Sequence, residues 1–182
     1  MTPPGRVPVT AWKEPIIRSV AIITAALALV AVPAAAEALP APAAAAKHSH
    51  SHRFLVVQQL KRGLRGTPLA RHAFRLESEG WRWNINPFLV ASIAGTESSF
   101  GAAACGANAW GIGNCGFGFA NFNDGIHYTT RLLRTGYLNL GFRTLERIGT
   151  RYAACGSCWA ERTGWFMRAR FGSPLTLTYP LE

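Results

Sequence analysis

Acidic side chains are scarce in this chain: 19 lysines and arginines face 9 aspartates and glutamates, and Asp124 is the only aspartate. Chemistry that needs a carboxyl group therefore has few candidates. Aromatic residues are nearly absent before residue 54. Of the 10 Phe, 6 Trp and 4 Tyr, only Trp12 precedes Phe54, so the packed domain is expected in the C-terminal two thirds. With 182 residues, one domain is expected. No apolar run is long enough to span a bilayer, because the uninterrupted stretch from Val20 to Val32 falls short of roughly 20 residues. No alternating strand set is long enough for a sheet core, so the expected class is mainly α. The basic residues form no clustered run, so nucleic acid is not an expected partner.

The N-terminal apolar stretch reads instead as a secretory signal over residues 1–38. Lys13 and Arg18 supply a positive flank, Ile16 to Val32 the apolar core, and Ala36-Glu37-Ala38 a small-x-small cleavage site. An uncleaved anchor is the alternative. Cleavage implies a secreted, extracellular or wall-associated protein with no stable membrane insertion afterwards. Residues 39–53, LPAPAAAAK followed by HSHSH and Arg53, have linker composition, with His48, His50 and His52 in a spacer role. The domain is expected over 54–182, with its core at 66–171. Removing Arg6, Lys13, Arg18, Glu14 and Glu37 leaves 16 basic and 7 acidic residues, a formal charge of +9. That balance suits polyanionic surroundings, and an exported protein first meets wall peptide carboxylates and anionic wall polymers.

The four cysteines, Cys105, Cys115, Cys155 and Cys158, all lie beyond the expected signal, which fits oxidation after export. Three connectivities are open. Pairing by proximity, Cys105 with Cys115 and Cys155 with Cys158, is favoured because local loops cost least to close. Cys155-Gly156-Ser157-Cys158 has redox spacing but follows no strand, and no histidine lies close enough to suggest zinc. Neither a metal nor a cofactor is expected.

Several helices are well signalled. Phe54 to Arg62 places Phe54, Val57 and Leu60 on one face. Thr67-Pro68 reads as a cap and first position for a helix carrying Leu69, Ala73 and Leu76 down to Gly80, on which Glu77 and Glu79 are exposed end charges. Asn123-Asp124-Gly125 caps a helix carrying Ile126, Thr130, Leu133 and Tyr137, so Asp124 is first an N-cap. Leu145, Ile148 and Tyr152 share a face, as do Trp159, Thr163 and Phe166. Gly172-Ser173-Pro174 stops the last helix, leaving LTLTYPLE as a fraying strand or coil.

The stretch these elements surround runs from Asn86 to Gly113. Asn86 and Pro87 open a helix, and Phe88, Leu89, Val90, Ile93 and Ala94 are too dense an apolar run for an exposed one. Glu97 stands at its C-terminal end, with Gly101 placed to terminate it. A carboxyl group there, opening onto a Gly-rich loop, has the setting of a general acid: desolvation raises its pKa while one oxygen stays accessible. In the loop, glycines alternate with Trp110, Phe117, Phe119 and Phe122. Aromatic faces beside glycines suit sugar rings, with Trp110 the most ligand-like; the same aromatics also suit plugging the core.

ESSFG followed by NAWGIG, FANFNDGIHYTTRLL and TLERIGTRYA resembles the glucosaminidase and lytic-transglycosylase branch of the lysozyme-like superfamily, over about Gly66 to Phe171. The resemblance implies a small bilobed helical domain cleaving β-1,4 linkages of peptidoglycan glycan strands, with a Gly/aromatic-rich loop as one wall of the cleft. It implies Glu97 as general acid and Tyr152 as a residue orienting it or the substrate. Asn108, Trp110, Gly111 and Ile112 would form the wall, buttressed by Phe122. NAWGIG lacks the Met-Gln pair that commonly follows Gly-Leu in the transglycosylases, which tilts the likeness toward glucosaminidases. A glycosidase normally uses two carboxyl groups. Either Asp124 is the second, or the substrate's N-acetyl group or 6-hydroxyl serves in its place. The rival expectations are a non-catalytic wall-binding module on the same fold and a transglycosylase giving 1,6-anhydro products.

Overall fold

Asn86 opens the central helix as its sequence signals: its Oδ1 accepts the Phe88 backbone N–H at 2.9 Å, with Pro87 in the first turn. This helix, α3 (Pro87–Ser98), buries Phe88, Leu89, Val90, Ala91, Ile93 and Ala94 around its whole circumference. A helix apolar on every side belongs in an interior. The computed structural model describes residues 43–180. Among these the other helices are α1 (Ala43–Gly63), α2 (Ala73–Trp83), α4 (Phe122–Leu132), α5 (Leu145–Tyr152) and α6 (Gly156–Trp165). Single π turns, Leu133–Tyr137 and Phe166–Arg170, continue α4 and α6. The only β pairing among the described residues is an isolated bridge between Cys105 and Asn108. The mainly α expectation is met. The expected signal segment, and residues 39–42 of the expected linker, lie outside the described residues.

Helix α1 begins at Ala43, inside the stretch read as linker. Its buried stripe is Val56, Val57, Leu60 and Leu64, whereas Phe54 is 61% exposed. At 3.6 residues per turn Phe54 lies roughly a quarter turn off that stripe. His52 also hydrogen-bonds the Pro180 carbonyl at 2.7 Å, so the packed structure starts earlier than composition suggests. Thr67 stands at the N-cap position of the next element, with Pro68 in its first turn, but its side chain makes no capping hydrogen bond. Its hydroxyl donates back to the Leu64 carbonyl, and a 3₁₀ turn (Pro68–His72) precedes α2. Helix α2 runs past Gly80 and ends at Asn84, which is left-handed with φ 48°.

Glu77 and Glu79 are not exposed end charges; they are 1% and 3% exposed. Glu77 accepts from Arg53 at 2.6 and 3.0 Å and from the Tyr179 hydroxyl at 2.8 Å. Glu79 pairs with Arg75 at 3.0 Å and His127 at 2.8 Å, and accepts from the Trp83 indole at 3.1 Å. A buried carboxylate is tolerated only when paired in this way. The two acids therefore tie α2 to α1, to α4 and to the C-terminal tail. That tail does not fray: Leu177 and Tyr179 are buried, and the Leu177 carbonyl accepts the Asn86 N–H at 2.9 Å.

No helix among the described residues is long and apolar enough to cross a membrane. Both expected cysteine pairs are within disulfide distance: Cys105 with Cys115, and Cys155 with Cys158.

Candidate functional site around Glu97

Helix α3 stops sharply just after Glu97. Ser99 and Phe100 are both left-handed, with φ 52° and 60°, before Gly101 at 94°. Gly101 stands where the sequence places a helix terminator, and the reversal starts two residues before it, on side chains that resist it, which is strain of order 1 kcal/mol or more per residue. Burial of the Phe100 ring offsets the strain. It packs edge-on against Phe166 at 5.0 Å, and it occupies the space a Cβ on Gly95 would need, 2.6 Å from its Cζ. Ser98, buried beside the acid, fixes the turn to the loop: its hydroxyl donates to the Ala109 carbonyl at 2.8 Å and accepts the Gly101 N–H at 3.0 Å.

Glu97 itself is exposed, but its two oxygens face different partners. Oε1 accepts the Trp159 indole N–H at 2.8 Å. Oε2 lies over Gly111, where an added Cβ would sit 2.7 Å away and where φ is 66°. Partial burial pushes the Glu97 pKa above the ordinary glutamate value; the indole hydrogen bond and the Arg162 charge pull the other way without cancelling it. A carboxyl group so placed holds its proton to higher pH than a solvated one.

Tyr152 makes no hydrogen bond to Glu97. Its hydroxyl donates to the Trp110 carbonyl at 2.7 Å, and its ring stacks on Trp159 at 4.8 Å and 27°. Burial, with Glu97 and Tyr137 adding to it, raises its pKa well above the usual phenol, so it is a neutral donor. Tyr152 thus positions Trp159, which holds the acid. The contact requires α5 and α6 to approach closely, and Gly149 permits it: an added Cβ would meet the Gly156 carbonyl oxygen at 2.3 Å. The Cys155–Cys158 pair closes the same junction, where Cys155 Sγ accepts the Cys158 N–H at 3.3 Å.

The loop after α3 is held from within. Asn108 is buried; its side-chain nitrogen donates to the Ile112 and Phe117 carbonyls at 2.7 and 3.0 Å, and its oxygen accepts the Ile112 N–H at 3.1 Å. Trp110 corrects the expectation of a ligand-facing ring. It is fully buried, donating its indole N–H to the Val90 carbonyl at 3.0 Å, because the loop needs an apolar plug against α3. Gly111 is exposed and Ile112 half-buried at the loop surface. Phe122 is half-buried, edge-on to His72 at 5.6 Å and lying against Gly101. The exposed aromatics beside this loop are instead Phe117 and Tyr128, 5.7 Å apart, with Phe119 between them and Trp110.

Asp124 is exposed and is not the N-cap. Asn121 caps α4 by accepting the Asp124 N–H at 3.1 Å, and its amide donates to Asp124 Oδ2 at 3.0 Å. The residues that periodicity could not pick out are Trp159, Ser98 and Arg162. Each reads in sequence as an ordinary helix position, and only Trp159, with its polar N–H on an otherwise apolar face, offered a signal. Among the described residues no group of three or more His, Cys, Asp or Glu is arranged to hold a metal ion. In comparisons with known proteins, no family model matches the chain, and no curated protein matches it at a significant level.

Proposed function

We propose that the chain is a secreted peptidoglycan glycosidase that cleaves β-1,4 bonds between amino sugars, with Glu97 as the single protein general acid. The observation that carries this reading is the environment of Glu97: an exposed carboxyl group at a strained helix end, with a raised pKa, one oxygen held by Trp159 and the other beside Gly111. General acids are built by such partial desolvation. In this reading, which also takes the fold as the bilobed lysozyme-like one, protonated Glu97 gives its proton to the glycosidic oxygen as the bond to the anomeric carbon breaks. The developing positive charge is met by the carbonyl oxygen of the substrate's own 2-acetamido group, so a second protein carboxylate is not needed. The Glu97 carboxylate then takes a proton from water, or from the sugar 6-hydroxyl, as that oxygen attacks the anomeric carbon. The first route gives a reducing end and the second a 1,6-anhydro end.

Gly111 and Ile112 line the groove beside the acid in this assignment, Phe122 supports it, Asn108 and Trp110 hold it from beneath, and Phe117 with Tyr128 offers sugar-stacking faces. Asp124 keeps the helix start. Anionic wall polymers are the surroundings that the +9 formal charge left after the expected cleavage fits. The test is wall lysis by Glu97→Gln, with mass spectrometry of the wild-type muropeptides to identify bond and end group. Loss of lysis with retained wall binding is expected; full lysis by the variant removes Glu97 from the chemistry. A groove that binds glycan without cutting it is the second reading, favoured because no carboxylate among the described residues partners Glu97. It is selected if the wild type binds walls and releases no fragments.

A further inference from the structure

A second concave site lies where the end of α1 meets the turn after α6. It has a volume of about 500 Å³ and is lined by Gln59, Arg62, Gly63, Arg65, Arg170 and Phe171, with Ala169 completing it. None of the residues that touch Glu97 lines it. Three arginines and no acid surround it, whereas Arg53 and Arg75 elsewhere are matched to buried glutamates. Arg62 and Arg65 are exposed, and their guanidinium groups make no ion pair or hydrogen bond to any described residue.

One ordinary explanation is that cations at the end of α1 offset its dipole. The hydrogen bonds there argue for more. Three backbone carbonyls at the end of α1 are already taken: Gly63 by Arg170 Nε at 2.6 Å, Arg62 by the Arg65 N–H at 3.3 Å, and Leu64 by the Thr67 N–H and hydroxyl at 3.0 and 2.7 Å. The Phe171 carbonyl is taken by the Gln59 amide. Four carbonyls at the cavity, those of Arg62, Gly63, Leu64 and Phe171, are thus taken from within, while the guanidinium donors of Arg62 and Arg65 have no acceptor. Arg170 is fixed as well, its guanidinium lying over the Phe100 ring at 5.3 Å. One preorganised arginine and two unmatched ones around one cavity suit an oxyanion with several equivalent oxygens. A tetrahedral phosphate can accept from all three forks, where a planar carboxylate is satisfied by one.

We infer that the cavity between Arg62, Arg65 and Arg170 binds a phosphate group carried on a polyol-phosphate wall polymer. The volume is that of a ligand pocket and admits one phosphate with its flanking polyol, a shape that a stiff duplex backbone does not present. The inference does not rest on the chemistry of Glu97, and Glu97→Gln is expected to bind the polymer as the wild type does.

The experiment is calorimetric titration of the full chain with poly(glycerol phosphate), with inorganic phosphate as competitor, alongside amide NMR shifts on the wild type. Arg62→Gln/Arg65→Gln is expected to weaken polymer binding by about tenfold or more, as loss of two charge-assisted contacts should. The exposed pair Arg143→Gln/Arg147→Gln should stay within about twofold, since it loses only diffuse charge. Inorganic phosphate should compete, and shifts should concentrate in 59–65 and 169–171. Equal weakening by the two pairs overturns the site in favour of diffuse attraction. Phosphate binding without polymer binding overturns the polymer as source, and duplex DNA displacing the polymer overturns the class. Failure of the polymer to bind, or shifts elsewhere on the wild type, overturns the proposal without any variant.

Discussion

Trp159 donates its indole N–H to Glu97 Oε1 at 2.8 Å while its ring is stacked on Tyr152, so the group that holds the acid is itself held by the preceding helix, α5. That hydrogen bond stabilises the charged carboxylate and opposes the desolvation that raises the pKa. Replacing Trp159 with Phe keeps a ring and removes the donor. The Glu97 pKa should then rise further, and the alkaline limb of the pH–rate profile on wall suspensions should move to higher pH. Tyr152→Phe keeps the stack and loses only the bond to the Trp110 carbonyl. It should leave the limb where it is while lowering kcat by about tenfold, because an acid misplaced by a fraction of an ångström loses much of its effect.

The same raised pKa has a sign in stability. The folded state holds the Glu97 proton more tightly than the unfolded chain does, so ionisation costs stability above the folded pKa and nothing below the unfolded one. Glu97→Gln should therefore melt higher than the wild type at neutral pH. The gain should shrink as pH falls through the folded pKa and vanish below the ordinary glutamate range. Melting curves across pH 3 to 8 check it, and the size is small because the side chain is exposed.

Gly111 and Gly106 offer a matched pair. Both have φ above +60°, at 66° and 61°, yet an added Cβ meets Glu97 Oε2 at 2.7 Å from Gly111 and nothing within 4 Å from Gly106. Gly106→Ala should cost only backbone strain, about 1 kcal/mol, and leave turnover nearly intact. Gly111→Ala should cost the same strain and also displace the carboxyl group, lowering kcat by about a hundredfold. Equal activity in the two would remove Gly111 from the site.

Glu79 is a test of buried pairing. Its carboxylate is 3% exposed and has three partners, Arg75, His127 and Trp83. Glu79→Ala strands an indole N–H and leaves Arg75 and His127 without their acid, for an expected loss of about 2 to 3 kcal/mol in denaturant unfolding. The figure sits below that of a wholly buried pair because Arg75 and His127 reach solvent. Catalysis at low temperature should persist, since Glu79 touches nothing that touches Glu97.

These residues also show what could be read from the chain alone. The Asn86 cap, the dense apolar run of α3 and the buried faces of α4 and α5 were legible, because each depends on neighbours within four positions. The local cysteine pairs were legible for the same reason. Glu79 was misread because His127, which holds it, is 48 residues distant. Trp110 was misread because a tryptophan among glycines looks the same whether its ring faces a sugar or fills a gap against Val90. Trp159 was placed on the correct face, but its partner lies 62 residues earlier, and no period records that.

The two cysteine pairs should differ when removed one at a time by double serine replacement. Closing the loop from Cys105 to Cys115, a separation of 10, restrains the unfolded chain by about 3 kcal/mol, and closing Cys155 to Cys158, a separation of 3, by about 2 kcal/mol. Stability alone therefore ranks the first pair higher. Activity should rank them the other way. The second pair sits one residue before Trp159, at the junction where Gly149 and Gly156 touch, so its loss loosens the start of α6 and with it the hydrogen bond to Glu97. Thermal melts and wall lysis on the two variants decide it: a lysis defect confined to the Cys105 and Cys115 variant would mean that the loop, and not α6, sets the position of the acid.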